Sequence, residues 1–339
     1  MPKPISLTGD RPTGQLHIGH YAGSLANRLR LQATHEQYIL LADTQALTDN
    51  GHQPGKVAKN VVEVALDYLA VGIDPARATI CLQSQLPALA VLSQLYLNYV
   101  SMARLQRNPT IKDEISKRGF AHHVPAGFWC YPAAQAADIT AFRATEVPVG
   151  EDQVPIIEQT NEIIRRINSI SGRQVLGEAK PLLSPTPRLP APCGTGKMSK
   201  SSGATINFSS SAEAIAAVVR SMYTDPAHLS VGDPGRVEGN VVFAYLDAFD
   251  PNTQEVQALK ARYEAGGLGD AVLKDRLAGV LEDLIAPIRT RRELYAKDIG
   301  YVHEVIAKGT RRARAITDAT CREVFEGLGL FQPETQMAC

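Results

Sequence analysis

Short apolar runs alternate with helix-spaced apolar positions through the first half of the chain, the pattern of strand–helix–strand units that assemble a parallel sheet. Residues 5–8 read as the first strand, and the turn-rich string Gly9, Asp10, Arg11, Pro12, Thr13, Gly14 ends it. Leu16, Ile18, Tyr21, Ala22, Leu25, Leu29 and Leu31 then crowd apolar positions as a helix packed on a sheet does. Residues 38–42 form a continuous apolar run, the mark of a strand covered on both faces. Val57, Val61, Ala65 and Leu69 recur every four residues, which predicts a helix over 56–71, and residues 79–82 predict the next strand. Val147, Pro148 and Val149 run into a polar turn at Gly150, Glu151 and Asp152, after which Pro155 opens a helix carrying Ile156, Ile157, Ile163, Ile164 and Ile167. That turn sits at the carboxyl end of a strand, where open sheets of this kind bind ligands.

The second half reads differently. Five prolines between Pro181 and Pro192, then Gly194, Gly196 and Gly203 around a Lys/Ser string, predict a loop. From Ser211 onward the pattern is helical nearly throughout, with Val280, Leu281, Leu284, Ile285 and Ile288 as one stripe, so a boundary falls near residue 210. Residues 78–103 hold no charged side chain, but Gln83, Ser84, Gln85, Ser93, Gln94, Asn98 and Ser101 interrupt them too often for a membrane span. The stretch is expected inside protein, at a subunit interface.

Composition narrows the class. Hydrophobic residues make up 44% of the 339 and charged residues 21%, which excludes disorder and coiled coil. Lys+Arg and Asp+Glu are 35 each, so nucleic acid is not coated by net charge alone. A local basic excess does occur: residues 287–322 carry Arg289, Arg291, Arg292, Lys297, Lys308, Arg311, Arg312, Arg314 and Arg322 against Glu293, Asp298, Glu304 and Asp318. Phosphate contacts from Arg311, Arg312 and Arg314 and a solvated helix face both fit that excess. The five cysteines (Cys81, Cys130, Cys193, Cys321, Cys339) lack paired spacing, and the first residues lack a leader's apolar stretch, so a reduced, cytoplasmic protein is expected. The His122 and His123 pair has no companion at metal-ligand spacing, so no metal site is expected.

Two strings carry chemistry. His17-Ile18-Gly19-His20 follows the first strand and its turn, placing two imidazoles on one side of a helix start, where unpaired N–H groups favour phosphate. Lys197-Met198-Ser199-Lys200-Ser201 lies on the Gly-rich loop, where two ammonium groups between hydroxyls suit a leaving pyrophosphate. A third feature is the run 120–137, free of charge but carrying Phe128, Trp129 and Tyr131, and closed by Asp138. It reads as an apolar pocket with one buried acceptor, or as ordinary core.

Together the HIGH and KMSKS strings, with residues 8–14, 42–48, 108–112, 131–138 and 148–153, resemble the class I aminoacyl-tRNA synthetases and within them the tryptophanyl/tyrosyl subgroup. The resemblance implies an α/β chain: a Rossmann-like parallel-sheet catalytic domain over 1–210, with a mostly helical dimerisation and substrate segment inserted at about 83–140, and a helical tRNA-anticodon domain over 211–339. It implies that ATP and an amino acid form an aminoacyl-adenylate whose acyl group passes to the terminal ribose of tRNA. Mg²⁺ would be bound through the ATP phosphates. His17, His20, Lys112, Lys197 and Lys200 would neutralise phosphate charge. Gly9, Arg11, Pro12, Thr13, Gly19, His20, Gly150, Glu151, Asp152, Leu189 and residues Lys197, Met198, Ser199, Lys200 and Ser201 would lie along ATP. For Asp152, acceptance from ribose hydroxyls and a helix N-cap before Pro155 are both open.

Leu7, Gln45, Tyr131, Gln135, Asp138, Val147, Val149 and Gln153 would surround the amino acid, with Asp138 accepting an indole N–H. Gln135 and Gln45 stand where bacterial tryptophanyl enzymes commonly have Met and often His, and Gln is the tyrosyl residue at the former place. Leu7 stands where tyrosyl enzymes place a Tyr that bonds the substrate phenol. Indole has one donor and no acceptor, so a lone carboxylate satisfies it, and tryptophan with tRNA(Trp) is preferred over tyrosine. An adenylyltransferase or small-molecule ligase that does not act on tRNA, and a binding paralogue that no longer catalyses, are the remaining alternatives. The family implies a homodimer with no membrane attachment.

Overall fold

The computed structural model describes residues 3–118, 120, 123–183, 189–194 and 205–332. Strand β1 (Ile5–Asp10) leads through a turn into a short α1 (Ile18–His20), a π-turn at Tyr21–Leu25 and α2 (Ala26–Thr34). β2 (Glu36–Leu41), α3 (Asp43–Asn50), α4 (Pro54–Val71) and β3 (Ala78–Leu82) follow, then α5 (Pro87–Tyr96), α6 (Met102–Arg107), α7 (Pro109–Arg118) and α8 (Ala126–Ala141). β4 (Glu146–Val149), α9 (Val154–Ser171) and β5 (Lys180–Leu183) complete the sheet. The chain ends in α10 (Ala212–Arg220), α11 (Val241–Phe249), α12 (Thr253–Ala265), α13 (Asp270–Ala296) and α14 (Ile299–Gly327).

All five strands are parallel, in the order β3-β2-β1-β4-β5. Chain order therefore reverses across β1, which has β2 on one side and β4 on the other, and a crevice opens at their carboxyl ends. The apolar runs alternate between two cores, as side chains on a pleat must. Leu7, Leu40, Cys81 and Val147 pack in the cluster that holds Leu92 of α5, Ala137 of α8 and Ile164 of α9. Ile39, Leu41 and Ile80 belong to the opposite cluster, with Leu69 of α4, Ile288 of α13 and Val302 of α14. Gly9 faces Leu40, and a Cβ there would stand 2.9 Å from the Leu40 carbonyl oxygen.

Two sequence expectations need revision. The proline-rich segment begins with a strand, β5, because an edge strand pairs on one side only and tolerates Pro181, which faces Val147. Residues 221–240 contain no helix: Pro226, Gly232, Asp233, Pro234 and Gly235 break the helical pattern between α10 and α11.

The helical half also reaches back. α14 crosses β3 so closely that a Cβ on Gly309 would stand 1.9 Å from the Ile80 carbonyl oxygen, and Thr310 accepts the Leu82 N–H at 3.0 Å. A third core, built from α10 to α13, includes Ile18 and Ala22. No helix among the described residues is long and apolar enough to cross a membrane.

Candidate active site

The end of β1 is fixed by charge. Asp10 accepts from Arg28 at 2.7 Å and from the Tyr68 hydroxyl at 2.6 Å. Burial pushes the Asp10 carboxyl up, but Arg28, His20 and Tyr68 outweigh it and bring its pKa down to about 2. The turn that follows is held by Asp67 of α4, which accepts the Leu16 N–H at 2.7 Å.

His17 is the extended N-cap of α1, with its Nδ1 accepting the Gly19 N–H at 3.1 Å. His20 Nδ1 accepts the His17 N–H at 3.2 Å, and the two rings lie 3.9 Å apart. Two imidazoles thus form a reciprocal capping box. An accepting Nδ1 puts the proton of a neutral ring on Nε2, so both rings present N–H donors. The expectation of an open helix start is corrected in part, since His17 engages the Gly19 N–H and the helix widens into the π-turn after three residues.

The downstream flank of the Lys/Ser string lies against this turn. Ile18 donates to the Ile206 carbonyl at 3.0 Å, His17 and Asn207 form an antiparallel bridge, and Ser209 donates to Gln15 at 3.2 Å. Leu189, on the upstream side, is buried in the cluster that contains Ile18. Lys197, Met198, Ser199, Lys200 and Ser201 lie outside the described residues.

On the other side of the crevice, the junction of α6 and α7 fastens α9 and the turn that precedes it. Asn108 donates to Gln159 at 2.9 Å and Thr110 to the Asp152 carbonyl at 2.5 Å. The side chain of Asp152 accepts from Gln153 at 3.1 Å. Gln153, not Asp152, is the N-cap of α9, so the capping reading of Asp152 falls away. Glu151 and Lys112 are exposed. Arg11 reaches Asp49 of α3 at 3.4 Å, and Arg118 of α7 pairs with the same carboxylate while lying over the Phe128 ring.

Tyr131, Gln135 and Asp138 recur on one face of α8, four and three residues apart. Tyr131 is buried, and its hydroxyl has no hydrogen-bond partner among the described residues. Burial, then Glu114, pushes the phenol above its ordinary range. Leu7 and Val147 are buried beside this helix, in the cluster with Ala133, Ala136 and Ala137, and Val149 packs partly against it. Asp138 is 5% exposed. Burial raises its carboxyl to about 7 despite a donor from Gln83.

That donor was not anticipated from sequence. Gln83 Nε2 stands 2.9 Å and 3.2 Å from the two Asp138 oxygens. Its Oε1 accepts from the Thr44 hydroxyl at 2.6 Å and from the Gln45 N–H at 3.1 Å. Gln83 follows β3 directly, at the carboxyl end of the sheet, and that position was the available signal. Arg28, Asp49, Asp67 and Arg118 are further charged groups around the site that sequence reasoning missed.

In the C-terminal half, Arg311 is exposed, Arg312 reaches Glu36 at 3.2 Å and Arg314 lies 3.8 Å from Asp318. Three other basic residues of the excess belong to the fold. Arg292 holds Asp67 at 2.7 Å and pairs with Glu63, Arg291 donates to the Ala70 carbonyl at 2.6 Å, and Arg289 pairs with Glu282.

Comparison with known proteins agrees with this geometry. A family model described as tRNA synthetases class I (W and Y) matches residues 2–286. A tryptophan–tRNA ligase of Clostridium longisporum is 51% identical over 334 residues, 97% of this chain and 98% of that protein. A tryptophan–tRNA ligase of Streptococcus pneumoniae is 51% identical over 337 residues, 97% of this chain and 99% of that protein. Among solved structures, tryptophanyl-tRNA synthetase from Campylobacter jejuni complexed with ADP and tryptophan superposes with a TM-score of 0.82 at 27% identity, covering 96% of this chain and 100% of that one.

Proposed function

This chain belongs to the class I tRNA synthetases of the tryptophan and tyrosine subgroup, and from that premise we propose that it activates tryptophan with ATP and charges tRNA(Trp). The tryptophan carboxylate attacks the α-phosphorus, an oxygen–phosphorus bond forms, the bond to the β-phosphate oxygen breaks, and pyrophosphate leaves. The terminal ribose hydroxyl of the tRNA then attacks the acyl carbon, an ester bond forms, the acyl–phosphate bond breaks, the hydroxyl proton is lost and AMP leaves.

No protein nucleophile takes part, so positioning and charge compensation carry the chemistry. The Nε2–H groups of His17 and His20 donate to the phosphates. Lys112, Lys197 and Lys200 compensate the charge that develops on pyrophosphate, with Met198, Ser199 and Ser201 beside the latter two in the sequence. Gly9, Arg11, Pro12, Thr13 and Gly19 line the nucleotide. Gly150, Glu151 and Asp152 meet the ribose, with Leu189 beside the adenine. Mg²⁺ comes with ATP, bound through its phosphates.

Asp138 accepts the indole N–H between apolar walls made by Leu7, Val147 and Val149. Tyr131, Gln153, Gln135 and Gln45 surround the rest of the amino acid. The observation that carries the choice of tryptophan is Leu7, 4% exposed in β1 and grouped with the α8 alanines. A phenol would find no hydroxyl partner at that place, whereas indole needs only the one acceptor.

The partners follow from the same reading. Arg311, Arg312 and Arg314 meet tRNA phosphates. A groove of about 490 Å³ between α5 and α14, lined by Ala90, Val91, Gln94, Leu95, Asn98 and Phe325, receives a second copy of the chain. We place the protein in the cytoplasm, as 1–210 catalytic and 211–339 tRNA-binding regions with an insertion at about 83–140. Exchange between pyrophosphate and ATP, dependent on tryptophan, tests the activation step, and light scattering at micromolar concentration tests the dimer: a monomer contradicts it.

A further inference from the structure

We propose that Gln83 is the positioning residue for amino-acid selection, holding the Asp138 carboxylate as an oriented acceptor and tying it to α3. The inference rests on the reading of Asp138 as the indole acceptor.

The orientation of the Gln83 amide follows from its partners. The Thr44 hydroxyl at 2.6 Å and the Gln45 backbone N–H at 3.1 Å converge on one end of it. A backbone N–H can only donate, so that end is the carbonyl oxygen. The other end is then the NH₂ group, and it faces both Asp138 oxygens, at 2.9 Å and 3.2 Å. A flipped amide would set its oxygen against a carboxylate and its NH₂ against a backbone donor. The residue is 7% exposed and buried, so water does not relieve that arrangement.

The direction of this chain of donors suits indole. Indole offers one N–H and no acceptor, so Asp138 must present an oxygen without a proton. Gln83 donates to the carboxylate, which favours the ionised form that burial disfavours. It also fixes the plane of the carboxylate while leaving lone pairs for one more donor. Without it Asp138 has room to rotate and reason to take up a proton, and a carboxyl O–H pointing at an indole N–H is two donors meeting. The anchor of Gln83 lies on α3, so Thr44 contributes to selection without touching the amino acid.

The experiment uses the full chain in pyrophosphate exchange with tryptophan and with benzothienylalanine, where sulfur replaces the indole N–H. In Gln83→Met, which keeps the length and removes the amide, KM for tryptophan should rise about tenfold or more while kcat falls far less. The preference for tryptophan over the sulfur analogue should narrow by a similar factor. Thr44→Val should move both quantities the same way by a smaller factor, and it carries the test should Gln83→Met fail to fold. A KM and a preference like those of the parent in the variants that fold would overturn the inference. Asp138→Ala separates the two levels. If it keeps the preference, the indole-acceptor reading fails and the inference with it. If it loses the preference while Gln83→Met and Thr44→Val keep it, only the role of Gln83 fails.

Discussion

Ile18 donates its backbone N–H to the carbonyl of Ile206 at 3.0 Å, which ties the HIGH turn to the chain immediately downstream of the KMSKS string. The HIGH turn and the described segment downstream of the KMSKS string therefore meet at one point of the fold. Lys197 and Lys200 are expected to act on charge that develops as pyrophosphate leaves. Each alanine substitution should lower kcat of exchange by about 10²–10³-fold, the range for losing one preorganised charge partner, with KM for tryptophan changed only a few fold. A rise in KM for tryptophan with kcat intact would contradict this.

Asp10 and Arg28 provide a structural rather than chemical test. The Arg28 side chain is 3% exposed and Asp10 is its carboxylate partner. Asp10→Asn strands that guanidinium, and urea denaturation at neutral pH should show a loss of about 3 kcal/mol. The folded pKa of about 2 lies below the ordinary 3.8. The contribution is therefore complete above 3.8 and disappears as pH falls toward 2, so the gap between parent and variant should close over that window.

Asp138 has the opposite sign. Its folded pKa of about 7 lies above 3.8, so its stabilising balance is complete below 3.8 and is lost as pH rises through 7. The difference corresponds to about 4 kcal/mol at most, and Asp138→Asn should melt above the parent at pH 8 but not at pH 4. The coupled neighbour is Cys81 of β3, whose thiol burial and Asp138 together push up, so it stays protonated through this range. Tryptophan recognition should show the cost of removing this destabilising charge: KM falls as pH rises from 6 to 8 in the parent and is flat in Asp138→Asn.

The basic residues of the C-terminal half divide by partner. Arg292 holds buried Asp67, which in turn holds the Leu16 N–H beside the HIGH turn. Arg292→Ala should cost about 3 kcal/mol of stability by leaving Asp67 unpaired. Replacing Arg311, Arg312 and Arg314 together should leave the melting temperature within a few degrees, weaken tRNA binding and flatten its dependence on salt. Unchanged tRNA binding at several salt concentrations would remove these arginines from the interface.

The parallel sheet was legible because its strands are covered on both faces and read as unbroken apolar runs between helical periods. β5 was not, since a four-residue edge strand with Pro181 at its second position carries the composition of a loop. His17, His20 and Asp138 were legible as residue types in a pattern. Gln83, Asp49 and Asp67 were not, because each acts through a partner 30 or more positions away: Gln83 at Asp138, Asp49 at Arg11, Asp67 at Leu16 and Arg292. Periodicity reports which face of an element is buried. It does not report which polar side chain on that face finds another.

The most direct test of the account is exchange between pyrophosphate and ATP, run with all twenty amino acids in parallel on the full chain. The pairing of Leu7 in β1 with a single acceptor at Asp138 predicts exchange with tryptophan alone. Exchange with tyrosine would contradict the pocket, and exchange with none would contradict the activation chemistry.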